Sequence, residues 1–264
     1  MPILAVRRIS TRVSFCFSIG LSVLSLLVGC LQETSSPSRD RTVSILTRLL
    51  CDPQPETRRT AVEALGKIGD RSTIMSVTSL LKDPSPVVRA AAAKAVGRIG
   101  SSSAQEAIVM LAQALEDPAD PVRQAAAVAI GDIEPDSSGL GPVIRRTRSP
   151  DARTRYAAVL SLLQVEIGSR GPELISLLHD PDERVRQAAA AILGASSDPM
   201  VTVQVRNRLV TDNAPGVRAE IGYQAGKSLA PDTRVTLELA IRHETDNGVR
   251  RWIEAELRSL REYD

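Results

Sequence analysis

Histidine is nearly absent from this 264-residue chain, which has two, and aromatic residues are scarce: two Phe, three Tyr and one Trp. Two His are too few for a typical zinc centre, and they leave little for a Ser-His-Asp arrangement. A chain so poor in aromatics lacks the usual lining of a small-ligand pocket. Cysteine is limited to Cys16, Cys30 and Cys51. Charge of one sign is missing too, since 33 basic residues stand against 31 acidic ones, for a net charge of +2. A nucleic-acid-binding domain ordinarily shows a net basic face, so no nucleic-acid partner is expected.

Long apolar runs are absent except at the N-terminus. "MPILAVRRISTR" carries Arg7, Arg8 and Arg12 and no acid, and "VSFCFSIGLSVLSLLVG", residues 13–29, carries no charge. That is the basic and apolar architecture of a secretory signal. The run is rich in Ser and Gly and shorter than the roughly 20 apolar residues a spanning helix needs, so an uncleaved anchor fits less well. The run closes on "LVGC", which resembles the lipobox of bacterial lipoproteins. The resemblance implies that residues 1–29 are removed and that Cys30 carries acyl chains such as palmitate. At about 0.8 kcal/mol per buried methylene, several chains would anchor the protein permanently. An ordinary cleaved signal is the alternative. In the lipoprotein sorting rule, Leu31 in place of Asp implies the outer membrane of a Gram-negative envelope.

Loss of residues 1–29 would remove three basic and no acidic residues, leaving a net charge of −1. With Cys16 removed and Cys30 lipidated, Cys51 is the one remaining thiol and no internal disulfide forms. Residues 30–38, "CLQETSSPS", read as the lipidated Cys and a polar tether, and a folded domain is expected over 39–264.

One phrase recurs through that domain: "CDPQPETRRTAVEALGKIG" from Cys51, "KDPSPVVRAAAAKAVGRIG" from Lys82 and "EDPADPVRQAAAVAIGDI" from Glu116. It continues as "SPDARTRYAAVLSLL", "HDPDERVRQAAAAILG", "TDNAPGVRAEIGYQAG" and "HETDNGVRRWIEAEL". Its Arg falls at Arg58, Arg89, Arg123, Arg155, Arg186, Arg218 and Arg250, at intervals of 31, 34, 32, 31, 32 and 32 residues. A period of this size means stacked supersecondary units. Val88, Ala91, Ala92, Ala95, Val96 and Ile99 mark an amphipathic second helix. A shorter first helix, as in "STIMSVTSLLKD", stops before each Asp-Pro because the residue preceding proline avoids helical geometry. The expected fold is all-α, an α-solenoid of about seven stacked helix pairs.

This pattern resembles HEAT repeats, in the short subtype of the phycobilin lyases, over about residues 40–262. The resemblance implies that Asp52, Asp83, Asp117, Asp180 and Asp212 form a ladder with the Arg series and tie neighbouring units together. Ser149 replaces the Asp of the fourth unit, after the irregular "EPDSSGLG" from Glu134, so the ladder should be interrupted there. Glu244 stands at that place in the seventh, whose charged last helix suits a cap.

Catalytic chemistry finds little support. His179 and His243 share one repeat position two units apart, near 20 Å if helices pack about 8–10 Å from their neighbours, too far to share a metal. Deoxyhypusine hydroxylase resembles this chain in fold but holds its metals with several His-Glu pairs, and only His243-Glu244 has that form here. "GYQAGKS", Gly222 to Ser228, is one residue short of a phosphate-binding loop and sits in phase with helix ends. No cofactor, metal or catalytic residue is expected. An accessory lyase or chaperone-like module of the phycobilin-lyase family is the alternative, which a pocket of converging polar groups would favour.

Recognition should fall to the second helices, which line the concave face in HEAT solenoids. Gln124, Tyr156, Gln187 and Arg251 follow the repeat Arg and should form an exposed row. The fourth unit adds Arg145, Arg146, Arg148 and Arg153 around Tyr156. Arg and Tyr are over-represented among residues that dominate interface energies, making this unit the candidate protein-partner site. The expectation is a non-catalytic, membrane-anchored scaffold in the cell envelope, facing the periplasm or exterior.

Overall fold

The computed structural model describes residues 37–100, 105–133, 139–165, 167–194, 196, 198–228 and 233–261. The signal segment 1–29, Cys30, Leu31 and the tether through residue 36 lie outside the described residues. The described residues contain fourteen α-helices and four short 3-10 segments, and no strand. None of these helices is long and apolar enough to cross a membrane. Contacts divide the chain between Ser44 and Ile45, within the first helix, α1 (Pro37–Leu49). That helix begins two residues before the expected start of the folded domain at residue 39.

From α1 onward the helices alternate as first and second members of seven pairs. The second members are α2 (Pro55–Ile68), α4 (Pro86–Ile99), α6 (Asp120–Ile133), α8 (Ala152–Ser161), α10 (Glu183–Leu193), α12 (Pro215–Ser228) and α14 (Asn247–Arg261). The first members after α1 are α3 (Ile74–Ser79), α5 (Gln105–Ala114), α7 (Gly141–Arg146), α9 (Gly171–Leu174), α11 (Pro199–Thr211) and α13 (Thr233–His243). Each second helix packs on the next in an unbroken row from α2 to α14, and from α3 onward each first helix packs on its own partner. This all-α solenoid is the fold the repeat period predicts.

Local sequence explains the boundaries. Proline opens α2 and α4 at their first position, where its missing N–H costs nothing and its fixed φ suits the helix. Gly69 closes α2 in the left-handed region at φ 67°, its N–H donating to Leu65 O at 3.0 Å. Gly100, after α4, is extended instead and still donates to Val96 O at 2.7 Å. Several first helices are less regular than expected. The second pair winds as a 3-10 turn at Arg71–Thr73, then α3, then another at Leu80–Lys82. The fifth is mostly 3-10, with α9 lasting four residues.

The core lies between the two rows, where Leu65, Ile108, Leu111, Ile130, Leu162, Leu178, Leu193, Leu209 and Ile221 are fully buried. Within the second row the helices meet through small side chains. A Cβ on Gly66 would sit 2.8 Å from Ala95 Cβ, and one on Gly97 would sit 2.9 Å from Ala129 Cα. Only glycine permits that approach. The fourth unit carries Leu163 at this repeat position, half exposed.

Candidate functional site

The most regular chemistry in the molecule is a ladder of ion pairs along the Asp-Pro turns. Arg58 donates from Nε to Asp83 Oδ2 at 2.6 Å and from Nη2 to Oδ1 at 2.8 Å. Arg89 grips Asp117 in the same fashion at 2.7 and 2.9 Å, and Arg155 grips Asp180 at 2.7 and 2.8 Å. Arg186 reaches Asp212 at 2.9 and 3.1 Å, and Arg218 reaches Glu244 at 2.8 and 2.5 Å. Each rung joins one unit to the next with the two-point geometry that makes Arg–carboxylate pairs strong and directional.

The third guanidinium nitrogen ties each Arg to its own turn. Arg58, Arg89, Arg123, Arg186 and Arg218 donate from Nη1 to the carbonyl of the Asp six residues earlier, at 2.5 to 2.9 Å. Arg155 does the same to Ser149 O at 2.9 Å, and Arg250 donates from Nη2 to Glu244 O at 2.5 Å. The carboxylates also hold the turns. Asp52, Asp83, Asp117, Asp180, Asp212 and Glu244 each accept the backbone N–H two residues on, at 2.7 to 2.9 Å. Asp52, in the first described unit, makes the turn bond and, among the described residues, takes no Arg from a preceding repeat.

Electrostatics follow from this geometry. For Asp83, Asp117 and Asp212, burial alone would favour the neutral acid. Hydrogen bonds from the Arg partner and the turn N–H outweigh it and hold each carboxyl below the usual Asp range. Glu244 is also held low, first by Arg218. These buried carboxylates stay ionised and saturated, which unsuits them to proton transfer.

At the fourth unit Ser149 offers only a hydroxyl, which accepts the Asp151 N–H at 3.3 Å. Arg123, almost fully buried, turns back to Asp120 in its own helix. The candidate partner residues distribute around this gap. Arg145 and Arg148 are exposed, while Arg146 faces Glu116 of the third unit at 3.1 Å. Arg153 is exposed and bound to Asp151 at 3.2 Å. Tyr156 is half buried, and Arg184 of the fifth unit lies over its ring at 5.5 Å. Among the described contacts, none joins Arg145 or Arg148 to Tyr156. Gln124, Gln187 and Arg251 are exposed. Sequence reasoning missed Arg184, although its place two residues before the next repeat Arg is a regular one.

A cavity of about 650 Å³ opens between the fourth and sixth units, lined by Leu162, Leu163, Val165, Ile192, Ser196 and Asp198 among others. Its one carboxylate, Asp198, caps α11 by accepting the Met200 N–H at 2.8 Å. Among the described residues, no three His, Cys, Asp or Glu side chains are placed to hold a metal. His179, His243 and Cys51 are exposed. Gly222 to Ser228 lies inside α12, with Gly222 against Trp252.

Comparison with known proteins agrees with the repeat. The chain is similar over its length to the Escherichia coli protein YibA, at 19% identity and a TM-score of 0.51, covering 96% of this chain and 99% of that one. The phycocyanin lyase complex of CpcE and CpcF from Nostoc aligns at 18% identity and 0.47, over 83% and 94% of the two chains. Human deoxyhypusine hydroxylase aligns at 20% and 0.40, over 94% and 100%. No curated protein sequence matches. The sequence pattern of HEAT repeats matches residues 42–131 and 171–258 and passes over the fourth unit, and on this match the chain belongs to the HEAT-repeat family.

Proposed function

We propose that this protein is a non-catalytic scaffold, tethered to the cell envelope through lipidated Cys30, that binds a protein partner along its second-helix row. The observation that carries the non-catalytic reading is the saturation of the buried carboxylates. Asp83, Asp117, Asp180, Asp212 and Glu244 each accept a two-point Arg contact and a turn N–H, which commits them to holding repeats together. The binding reading is supported by the continuity of the row and by Tyr156, Gln187 and Arg251 along it. Rigid aromatic and Arg side chains on such a row are suited to anchoring a partner.

Two measurements test this. Metabolic labelling with an alkyne fatty acid should mark the wild-type chain, and Cys30→Ser should abolish the label and release the chain from the membrane fraction. Label retained on the Cys30→Ser chain would end the anchoring claim. A photo-crosslinker replacing Tyr156 should form reproducible adducts with one envelope protein, and reversal of Arg145 and Arg148 to Glu should reduce them. Adducts indifferent to that reversal would remove these two arginines from the partner site.

A further inference from the structure

The first three second helices enclose a trough whose charge is one-sided. Between α2 and α4 runs a groove of about 400 Å³ whose lining includes Lys67, Val87, Lys94 and Arg98. A second groove, of about 450 Å³, shares Lys94, Arg98 and Pro121 and continues across Gln124 and Val128 of α6. The floor is apolar, formed by Ala90, Ala91 and Ala95 with Val87 and Val128, which are 56% and 60% exposed.

Several other cations of the molecule are neutralised by a neighbour. Arg153 is held by Asp151, Arg184 by Asp182, and Arg59 on the trough's own margin by Glu63 at 2.8 Å. Lys227 lies over the Tyr223 ring at 5.0 Å. Lys67, Lys94 and Arg98 are exposed and take no part in any ion pair or hydrogen bond among the described residues. Asp132 is the one carboxylate beyond Glu63 that lines either groove. Three unneutralised cations therefore border an exposed apolar floor.

We infer that this trough binds an extended protein segment that combines carboxylates with apolar side chains. The inference rests on the scaffold reading and names the chemistry of what the scaffold carries. Packed helices lie about 8–10 Å apart, and an extended chain advances about 3.3 Å per residue. Carboxylates roughly three residues apart can therefore meet Lys67 on one unit and Arg98 on the next. Intervening apolar side chains then rest on Val87 and Val128 and remove them from water. A membrane surface cannot follow a concave trough to its floor, and three cations are few for a phosphate backbone.

The test uses the full-length chain in cells, with a photo-crosslinking residue in place of Val87 or Val128, and at Met200, exposed on α11, as control. Adducts from the trough should map to a partner segment of net negative charge. K67E, K94E and R98E combined should lower their yield about tenfold or more, because charge complementarity governs both encounter and discrimination at such a surface. All three side chains are exposed, so the thermal melting of the variant should match the wild type. Adducts that map to a neutral or basic segment, to lipid or to nucleic acid overturn the inference. So does an absence of adducts from Val87 and Val128, or a yield unchanged by charge reversal. If adducts persist at Tyr156 while those in the trough fail, the scaffold reading stands without this site; if all three positions fail, both fall.

Discussion

The junction between the second and third units and the junction between the third and fourth are built from the same parts list, and only one has all the parts. In the first, Arg89 is gripped by Asp117 and Gly97 lies against Ala129. In the second, Ser149 leaves Arg123 to Asp120, and a Cβ on Gly131 would meet Gln164 at an ordinary 3.4 Å. The ion pair and the close helix contact are relaxed together. The fourth unit also carries the shorter α8, and Leu163 where the first, second, third, fifth and sixth units have glycine. At the junction of the fourth and fifth units Arg155 keeps its rung to Asp180 although Leu163 replaces the glycine, so the two devices joining adjacent repeats are separable, one polar at the turn and one steric at the helix end.

Acid should have the largest effect on this comparison because it strikes the complete junctions at once. Asp83, Asp117, Asp212 and Glu244 have folded-state pKa values below their unfolded values of 3.8 and 4.5. The folded protein therefore binds these protons less readily than the unfolded chain. Their stabilisation is complete above those values and is lost as pH falls through the lower, folded ones. Helical circular dichroism followed by melting at each pH should show a flat plateau near neutrality and a steep acid loss. A melting temperature constant into strong acid would deny the rungs any stabilising role.

Asp212→Ala comes next. It strands Arg186 and Arg208, both bound to this carboxylate, and frees the Ala214 N–H. Removing one partner of a buried pair costs about 3–5 kcal/mol, readable in chemical denaturation. Gly97→Ala should cost about 1–3 kcal/mol by overpacking against Ala129. Gly131→Ala, facing Gln164, should stay within about 1 kcal/mol of neutral, since Ala is the better helix former. Equal costs at the two glycines would erase the steric half of the comparison. The smallest effect is a gain: Ser149→Asp offers Arg123 the missing acceptor and should stabilise by roughly 1–2 kcal/mol. An unchanged stability would mean that Arg123 keeps Asp120 as its partner.

Much of the architecture is legible in one sequence because a repeated unit states its rule several times. The Arg series fixes the period, the Asp-Pro steps end the first helices, and the apolar spacing identifies the second. The 3-10 winding around α3 and α9 is not legible, since it depends on how a short segment fits between two others already packed. The partner of a given Arg is legible only where the pattern is intact. Arg123 turning to Asp120 follows from a rung that is missing, and Glu244 takes the Asp place with a longer arm, holding both Arg218 and the Asp246 N–H. The trough is the least legible feature. Lys67 and Arg98 share a repeat position, in "LGKIG" and "VGRIG", but their lack of acid partners emerges only when three units stand side by side.

Each ladder Arg touches its own turn and, where the rung exists, the next unit's carboxylate. Order is therefore handed from repeat to repeat, never directly between distant ones. In such a one-dimensional array, the length over which units melt together is set by the weakest coupling between neighbours. The gap at Arg123 should divide the array into two cooperative blocks. Hydrogen exchange would register this as one protection level up to α6 and another from α8 onward, with the boundary at the unit whose turn begins with Ser149.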